Sequence, residues 1–195
     1  MMQLLIATGN LGKLREIQAL LEGLDIELVI PADLGLSQDV EETGKTYAEN
    51  AAIKALACAS SAGLVTLADD SGLEVDALSG LPGVRSARFA PQPGATDADR
   101  RAYLLDRLKS LPQPWKAHFH CTVAVASPSG EVRFAEGRCF GEIIRDERGS
   151  NGFGYDPIFF IPELGKTMAE LTLEEKNRIS HRAHAINSAI PILTE

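Results

Sequence analysis

The first seventy residues alternate between apolar runs and helical patterns, and this alternation constrains the fold more than any other feature. Apolar runs at 3–8, 26–30 and 64–69 indicate buried strands. One helix begins near Asn10, and a Thr-x-x-Glu capping box at Thr46 begins a second. Because strands that alternate with helices usually pair in parallel, this order predicts a helix-covered, largely parallel sheet.

The second half of the chain makes the predicted sheet mixed. A Gly/Pro-rich loop at 80–97 precedes a helix over 97–110, and alternating runs at 117–127 and 131–144 flank a Pro-Ser-Gly turn. Such a pair of runs predicts an antiparallel hairpin. We therefore predict a single α/β domain over 1–195, with a mixed central sheet, helices on its faces and two lobes around an active-site cleft.

The last helical pattern is predicted to break in two. Thr172 begins a capping box, and an uninterrupted helix could follow it to the end of the chain. At about 100° per residue, that helix would place Lys176 and His181 roughly 140° apart, so both could not point at one ligand. Ser180 is a good N-cap residue. We therefore predict a break at Ile179–Ser180.

Composition excludes several classes of function. The net charge is -8 and no Lys/Arg cluster occurs, which argues against a nucleic-acid partner. The N-terminus lacks a basic flank, and no apolar run approaches the ~18 residues of a membrane span. Three widely spaced cysteines, Cys58, Cys121 and Cys139, are typical of core residues in a reducing compartment. We expect a cytoplasmic protein without a membrane partner.

The stretch Ala-Thr-Gly-Asn-Leu-Gly-Lys at 7–13 is a candidate anion site. A strand enters a glycine turn, and backbone N–H groups at the following helix start attract anions. Lys13 lies in the first helical turn, where a cation is unfavourable for the helix dipole unless an anion is bound. The glycine spacing does not match a Walker A loop. A plain strand–helix turn with an exposed lysine is the alternative.

Acidic residues provide a candidate metal site. Glu41 and Glu42 precede the second helix, and Asp69 and Asp70 are predicted to end the third strand. Mg²⁺ is usually held by one or two carboxylates together with water and substrate phosphates. Because adjacent strand residues point to opposite faces, Asp69 and Asp70 should not both face one site, and alternation does not say which of them does. Solvated or helix-capping carboxylates are the alternative.

Two further stretches could recognise a base. In residues 151–160, glycines bracket Phe153, whose ring could stack on a base, and Asp156 could accept a hydrogen bond from a base N1–H. The alternative is a tight turn that buries Phe153 in the core. Lys176, His181 and Arg182 follow in the C-terminal helices, and arginine suits phosphate or purine acceptors.

Taken together, these stretches resemble the inosine/xanthosine triphosphate pyrophosphatase family, the house-cleaning enzymes for deaminated purine nucleotides. The matching motifs occur in the family's order and span almost the whole chain, which makes the resemblance specific. The six motifs are ATGNLGKLREI, EETGKTYAENAAIKA, ADDSGLEVDAL, LPGVRSARF, GFGYDPIFF and LTLEEKNRISHR.

The resemblance implies a role for each matching position. Glu42 and Asp70 would hold Mg²⁺, and Asp70 would also be the catalytic general base. We expect Asp69 to face away and to hold a turn at Ser71–Gly72 through backbone N–H groups. The remaining matching positions would bind the substrate: Thr8, Gly9, Asn10, Leu11, Gly12, Lys13, Lys54, Ser71, Phe153, Gly154, Tyr155, Asp156, Lys176, His181 and Arg182.

The activity implied is Mg²⁺-dependent hydrolysis of ITP, dITP and XTP to the monophosphate and pyrophosphate, by a homodimer. Two alternatives stay open: a non-catalytic nucleotide-binding module, and a pyrophosphatase for another nucleotide class, such as pyrimidine triphosphates. A non-catalytic module leaves Glu42 and Asp70 unexplained, because without a metal these carboxylates would repel a bound polyanion.

Overall fold

The computed structural model describes residues 2–36 and 40–194, and within them seven strands form one sheet in the order β2-β1-β3-β4-β5-β6-β7. The first strand pairs in parallel with the second and third, whereas the fifth and sixth are antiparallel. The predicted mixed α/β sheet is therefore confirmed. The strands are β1 (Met2–Ile6), β2 (Ile26–Val29), β3 (Val65–Val75), β4 (Trp115–Ala126), β5 (Val132–Ile143), β6 (Phe159–Ile161) and β7 (Lys166–Thr167).

Five α-helices lie in the described part of the chain. The predicted capping box of the second helix is present, since the Thr46 hydroxyl accepts from the Glu49 N–H and the Glu49 carboxylate accepts from the Thr46 N–H. None of these helices is long and apolar enough to cross a membrane. The helices are α1 (Leu11–Leu20), α2 (Tyr47–Ala62), α3 (Asp97–Leu108), α4 (Leu173–Ile179) and α5 (His181–Thr194).

The chain divides into two compact units, each assembled from separate segments. Unit 1 comprises residues 1–70, 121–137 and 181–195, and unit 2 comprises residues 71–120 and 138–180. Each unit contains its own buried apolar cluster. The predicted cleft and the single-domain assignment stay predictions.

In unit 1, alternate strand residues pack against different helices. On β3, Leu67 belongs to the cluster that includes Leu14 and Ile17 of α1 and Ile186 of α5. Its neighbour Ala68 belongs instead to the cluster formed with α2. The sheet in this unit therefore has α1 and α5 on one face and α2 on the other, as expected for helix-covered parallel strands.

Unit 2 is built around large aromatic and aliphatic side chains. Trp115 and Phe159 are fully buried, and the rings of Phe119 and Phe159 lie 4.4 Å apart between centroids. The third helix contributes Leu104 and Leu108 to the same cluster. This core supports the segment that carries the Gly-Phe-Gly-Tyr-Asp motif, since Tyr155 is one of its members.

The predicted break in the C-terminal helix is confirmed. The fourth helix ends at Ile179, and Ser180 adopts an extended backbone with φ −70° and ψ 153° before α5 begins at His181. The segment 31–45, which lacks a clear apolar period, contains a short 3-10 helix at Pro31–Leu34. Residues 37–39 of that segment lie outside the described residues.

The prediction that the third strand ends at the two aspartates is wrong. The strand β3 continues to Val75, so Ser71 and Gly72 are strand residues and do not form a turn. Asp-Ser-Gly favours a turn locally, but β3 continues past the end of its pairing with β1 at Leu67 as the sheet neighbour of β4, and this pairing outweighs the local preference.

A close approach of β5 to α5 gives a test of the packing in unit 1. A Cβ on Gly137 would collide with backbone atoms of His181 and Ala185. We expect Gly137→Ala to lower the free energy of unfolding by about 1–3 kcal/mol, because neither backbone can move freely. Urea denaturation measures this loss. The control is Lys116→Ala at an exposed strand position, which should change the free energy of unfolding by no more than about 0.5 kcal/mol. An equal loss for the two variants would contradict the close packing of β5 against α5.

Candidate functional site

Asp69 lies on the face of the sheet that packs against α1 and α5, where it is bound by two cations. Its Oδ2 accepts hydrogen bonds of 3.1 Å from both Nε and Nη2 of Arg182. The Lys13 Nζ lies 3.1 Å from the same oxygen. Arg182 also donates through Nη1 to Glu16 Oε2 at 2.5 Å. Two cations and two carboxylates thus form a charge-balanced cluster, in which Asp69 and Arg182 are each only 1% exposed.

The charges of this cluster stabilise one another. Burial opposes ionisation of Asp69, but the positive charges of Lys13 and Arg182 outweigh it and hold the pKa of this carboxyl well below its usual range. Burial likewise disfavours the Arg182 cation, yet Asp69 and Glu16 raise its pKa. Both groups are therefore ionised at neutral pH.

The expectation that Asp69 holds a turn through backbone N–H groups is wrong. Its carboxylate instead joins β3 to α1 and α5 through Lys13 and Arg182. The contact between Asp69 and Arg182 could not be predicted from the sequence, because Arg182 lies 113 residues further along the chain. Arg182 was predicted to bind substrate, and the structure places its guanidinium against two buried carboxylates.

Asp70 lies on the opposite face of the sheet, as strand alternation requires. Its Oδ2 accepts a hydrogen bond of 3.0 Å from the amide Nδ2 of Asn50 on α2. Burial raises the pKa of Asp70, Lys54 and Lys13 partly offset this increase, and the charge of Glu42 adds to it. A carboxylate whose pKa is raised is a stronger base than a solvent-exposed aspartate.

Lys54 connects the loop before α2 with the strand that carries the aspartates. Its Nζ donates to Glu42 Oε1 and to the backbone carbonyl of Asp69, both at 2.7 Å. Burial opposes the charge of Lys54, yet the Asp69 carboxylate and then Glu42 and Asp70 outweigh it and raise its pKa. Lys54 is thus a half-buried cation beside the two predicted metal ligands.

The donor set here fits Mg²⁺. Glu42 and Asp70 supply carboxylate oxygens, the ligands that this hard cation prefers, and one or two of them suffice when substrate phosphates complete the shell. Among residues 2–36 and 40–194, no cluster of three or more His, Cys, Asp or Glu side chains could hold a metal by itself.

The stretch 7–13 has the predicted geometry of a strand followed by a helix. The first N–H groups of that helix are already capped by a side chain. Asn10 is the N-cap of α1, and its Oδ1 accepts from the Gly12 N–H at 2.8 Å and the Lys13 N–H at 3.1 Å. The Thr8 hydroxyl accepts from the Asn10 N–H at 3.2 Å. A phosphate that used the Gly12 and Lys13 N–H groups would have to replace the Asn10 cap.

In unit 2, the Gly-Phe-Gly-Tyr-Asp motif, which was predicted to recognise the base, contributes Asp156 to a second buried ion pair. Asp156 Oδ2 lies 2.6 Å from Lys176 Nζ, and both side chains are 5% exposed. The same oxygen accepts from the Phe153 N–H at 2.9 Å. Lys176 Nζ lies 5.0 Å from the centroid of the Phe153 ring, which is only partly buried. The ring is not among the buried core residues of this unit, so the alternative that buries Phe153 in the core is not supported.

Other predicted substrate residues differ in how far they are exposed. The side chain of Tyr155 is in the core of unit 2, and its hydroxyl donates to the Ser86 carbonyl at 2.9 Å. A substrate contact by Tyr155 would therefore have to use its backbone. His181 is buried at the start of α5, Leu11 is exposed, and Ser71 is half-buried on β3.

Sequence reasoning missed two residues of the unit 1 site, Glu16 and Asn50. Each is a buried polar side chain on a helix that otherwise buries apolar residues. The available signal was spacing, since Glu16 follows Lys13 by three residues and Asn50 precedes Lys54 by four, which places each pair on one helical face.

Asp69 gives a test of the buried charge cluster. We expect Asp69→Asn to lower the free energy of unfolding at pH 7 by about 3–5 kcal/mol, because it leaves buried cations without their partner. Since the folded-state pKa is depressed, this stability is present above the unfolded pKa of about 4 and is lost as pH falls below it. Urea denaturation at several pH values should show the difference shrinking in acid.

The control for this test is Asp25→Asn, since Asp25 is exposed and directly precedes β2. That variant should change the free energy of unfolding by no more than about 0.5 kcal/mol. A loss below about 1 kcal/mol for Asp69→Asn at pH 7 would contradict a stabilising role of the cluster.

Known proteins resemble this chain over its whole length. A model of the Ham1 family matches residues 4–192. The dITP/XTP pyrophosphatase of Desulforamulus reducens is 48% identical over 193 residues, covering 98% of this chain and 96% of that protein. The dITP/XTP pyrophosphatase of Geobacter sulfurreducens is 50% identical, covering 95% of this chain and 94% of that protein.

Solved structures agree with these relatives. The structure of a HAM1 protein from Coxiella burnetii superimposes with a TM-score of 0.90 at 43% identity, covering 100% of this chain and 99% of that one. The Ham1 protein of Staphylococcus aureus superimposes with a TM-score of 0.86 at 40% identity, covering 98% of each chain. These matches confirm the resemblance drawn from the six sequence motifs, and this chain belongs to the Ham1 family.

Proposed function

We propose that this protein hydrolyses deaminated purine nucleoside triphosphates, namely ITP, dITP and XTP, to the monophosphate and pyrophosphate, with Mg²⁺ as cofactor. The observation that carries the proposal is the full-length match to dITP/XTP pyrophosphatases. The ion pairs Lys13–Asp69 and Lys54–Glu42 of unit 1 support it, because they provide the charges that phosphoryl chemistry requires.

In this proposal, unit 1 binds the triphosphate. Glu42 and Asp70 hold Mg²⁺, which when bound neutralises charge on the triphosphate and on the departing pyrophosphate. Lys13 and Lys54 supply fixed positive charges, and the loop from Thr8 to Lys13 supplies N–H groups. Attack of water at the α-phosphorus would break its bond to the bridging oxygen and release pyrophosphate as one intact product.

Asp70 acts as the general base in this proposal. Its burial raises its pKa, and its hydrogen bond from Asn50 fixes one carboxylate oxygen. Asp70 would therefore orient an attacking water and accept its proton.

The base would be recognised by unit 2. Hypoxanthine and xanthine present O6 as an acceptor and N1–H as a donor, whereas adenine reverses both. The buried Asp156–Lys176 pair places an acceptor beside a donor, and the Phe153 ring offers a stacking surface. A mismatched base would leave a buried polar group unpaired, at a cost of about 1–3 kcal/mol for each mismatch. Ser71, Gly154, Tyr155, His181 and Arg182 complete the proposed substrate residues.

Pyrophosphate release from ITP, XTP, ATP, GTP and the pyrimidine triphosphates, measured with Mg²⁺ present, tests this proposal. We expect ITP and XTP to be cleaved at least about tenfold faster than ATP at low substrate concentration, as one mismatched hydrogen bond predicts. Equal rates for ITP and ATP would overturn the proposed base recognition. Preferential release from a pyrimidine triphosphate would identify another substrate class.

Asp70→Asn tests the proposed general base, because it keeps the size and polarity of the side chain but removes its basicity. This variant should fold and release no pyrophosphate above the rate without enzyme. If Asp70→Asn keeps an activity near that of the unmodified protein, Asp70 does not act in the chemical step.

The unmodified protein itself tests the alternative of a non-catalytic binding module. If ITP persists when it is incubated with this protein and Mg²⁺, that alternative is supported.

The resemblance also implies a homodimer that works in the cytoplasm, and we include both in the proposal. Static light scattering measures the assembly directly. A mass near twice the 20.9 kDa of one chain is expected, and a monomer mass at micromolar concentration would contradict the dimer.

A further inference from the structure

Asn50 is a fully buried side chain whose amide joins two segments of unit 1. Its Nδ2 donates to Asp70 Oδ2 at 3.0 Å. Its Oδ1 accepts from the Gly44 N–H at 2.8 Å, and the residue is 0% exposed. One end of the amide therefore contacts a proposed metal ligand, and the other end contacts the loop that carries Glu42, the second proposed ligand.

Lys54 makes a parallel connection one helical turn further along α2. It joins Glu42 of the same loop to the backbone carbonyl of Asp69 on the same strand, at 2.7 Å in each case. Two side chains of one rigid helix thus link the loop to β3 at two points. Lys54 is a cation with a proposed phosphate role, whereas Asn50 carries no charge and is too deeply buried to contact bulk solvent.

Gly44 shows how closely the loop approaches this helix. A Cβ at Gly44 would lie 2.6 Å from Asn50 Oδ1 and 2.7 Å from the Glu49 Cβ. Because neither neighbour can move away without breaking its own contacts, a side chain at this position would push the loop away from α2. The glycine therefore keeps the loop within hydrogen-bonding distance of Asn50.

We propose that Asn50 is a positioning residue for the metal, which orients the Asp70 carboxylate and fixes the loop that carries Glu42. The inference rests on the proposed function, since it assumes that these two carboxylates share Mg²⁺. Mg²⁺ requires near-ideal octahedral geometry with ligands at about 2.0–2.1 Å, so a small displacement of either carboxylate weakens binding. Hydrogen-bond partners of metal ligands commonly contribute about 10–100-fold to metal affinity or activity.

Asn50→Leu tests this role, because leucine is close to asparagine in shape but makes neither hydrogen bond. We expect the Mg²⁺ concentration for half-maximal pyrophosphate release from ITP to rise about 10–100-fold. The KM for ITP at saturating Mg²⁺ should change much less. The matched control is Thr66→Val on β3, which removes a partly buried hydrogen bond of 3.2 Å from the Thr66 hydroxyl to the Leu64 carbonyl. This control should leave the Mg²⁺ requirement unchanged.

Binding of Mn²⁺, followed by electron paramagnetic resonance with an α,β-methylene analogue of ITP, provides a measurement that does not depend on turnover. Asn50→Leu should weaken Mn²⁺ binding by a similar factor. If this variant fails to fold, Gly44→Ala replaces it, since it disturbs the same contact from the loop side and should shift Mn²⁺ binding in the same direction.

The outcomes separate this inference from the proposed function. If the unmodified protein releases pyrophosphate without a divalent metal, the proposed cofactor is wrong and the role of Asn50 is wrong with it. If the unmodified protein requires Mg²⁺ but Asn50→Leu or Gly44→Ala lowers only the melting temperature, as Thr66→Val should, then Asn50 is structural and only the inference is overturned.

Discussion

The unit 1 site depends on two adjacent buried aspartates that point to opposite faces of one strand. Asp69 faces α1 and α5, where Lys13 and Arg182 neutralise it. Asp70 faces α2, where Asn50 donates to its carboxylate. Because neighbouring strand residues alternate between faces, two like charges can occupy consecutive positions without competing for the same partners. The strand thus separates a structural role from a proposed catalytic one.

The cluster on the Asp69 side positions a residue that the reaction would use. Replacing a buried ion pair by apolar side chains is often neutral for stability, so stability alone does not explain its presence. Lys13 lies on the first turn of α1, and the cluster holds its ammonium group at 3.1 Å from the Asp69 carboxylate. A lysine fixed in this way loses less conformational entropy when it binds a phosphate.

Sequence patterns predicted what is determined locally. The capping boxes at Thr46 and Thr172 correctly located two helix starts, and the angle between Lys176 and His181 correctly indicated a break. Alternation correctly separated Asp69 from Asp70. The six motifs identified the family, because side chains needed for chemistry recur in a fixed order.

Features that depend on distant contacts could not be predicted. The continuation of β3 through Ser71 and Gly72 depends on pairing within the sheet, and the Asp69–Arg182 contact joins residues 113 positions apart. The four-residue spacing of Asn50 and Lys54 indicated a shared helical face, but the contacts of both ends of the Asn50 amide could not be predicted, because they join α2 to β3 and to the preceding loop.

The central claim is that Asp70, and not Asp69, binds the metal. Asp69 Oδ1 is buried and has no hydrogen-bond partner in the described part of the chain, so the opposite assignment is a real alternative. Anomalous X-ray diffraction from crystals grown with Mn²⁺ and an α,β-methylene analogue of ITP decides between them. We expect a manganese peak about 2.0–2.2 Å from carboxylate oxygens of Asp70 and Glu42. A peak at that distance from Asp69, with Asp70 outside the coordination shell, would contradict it.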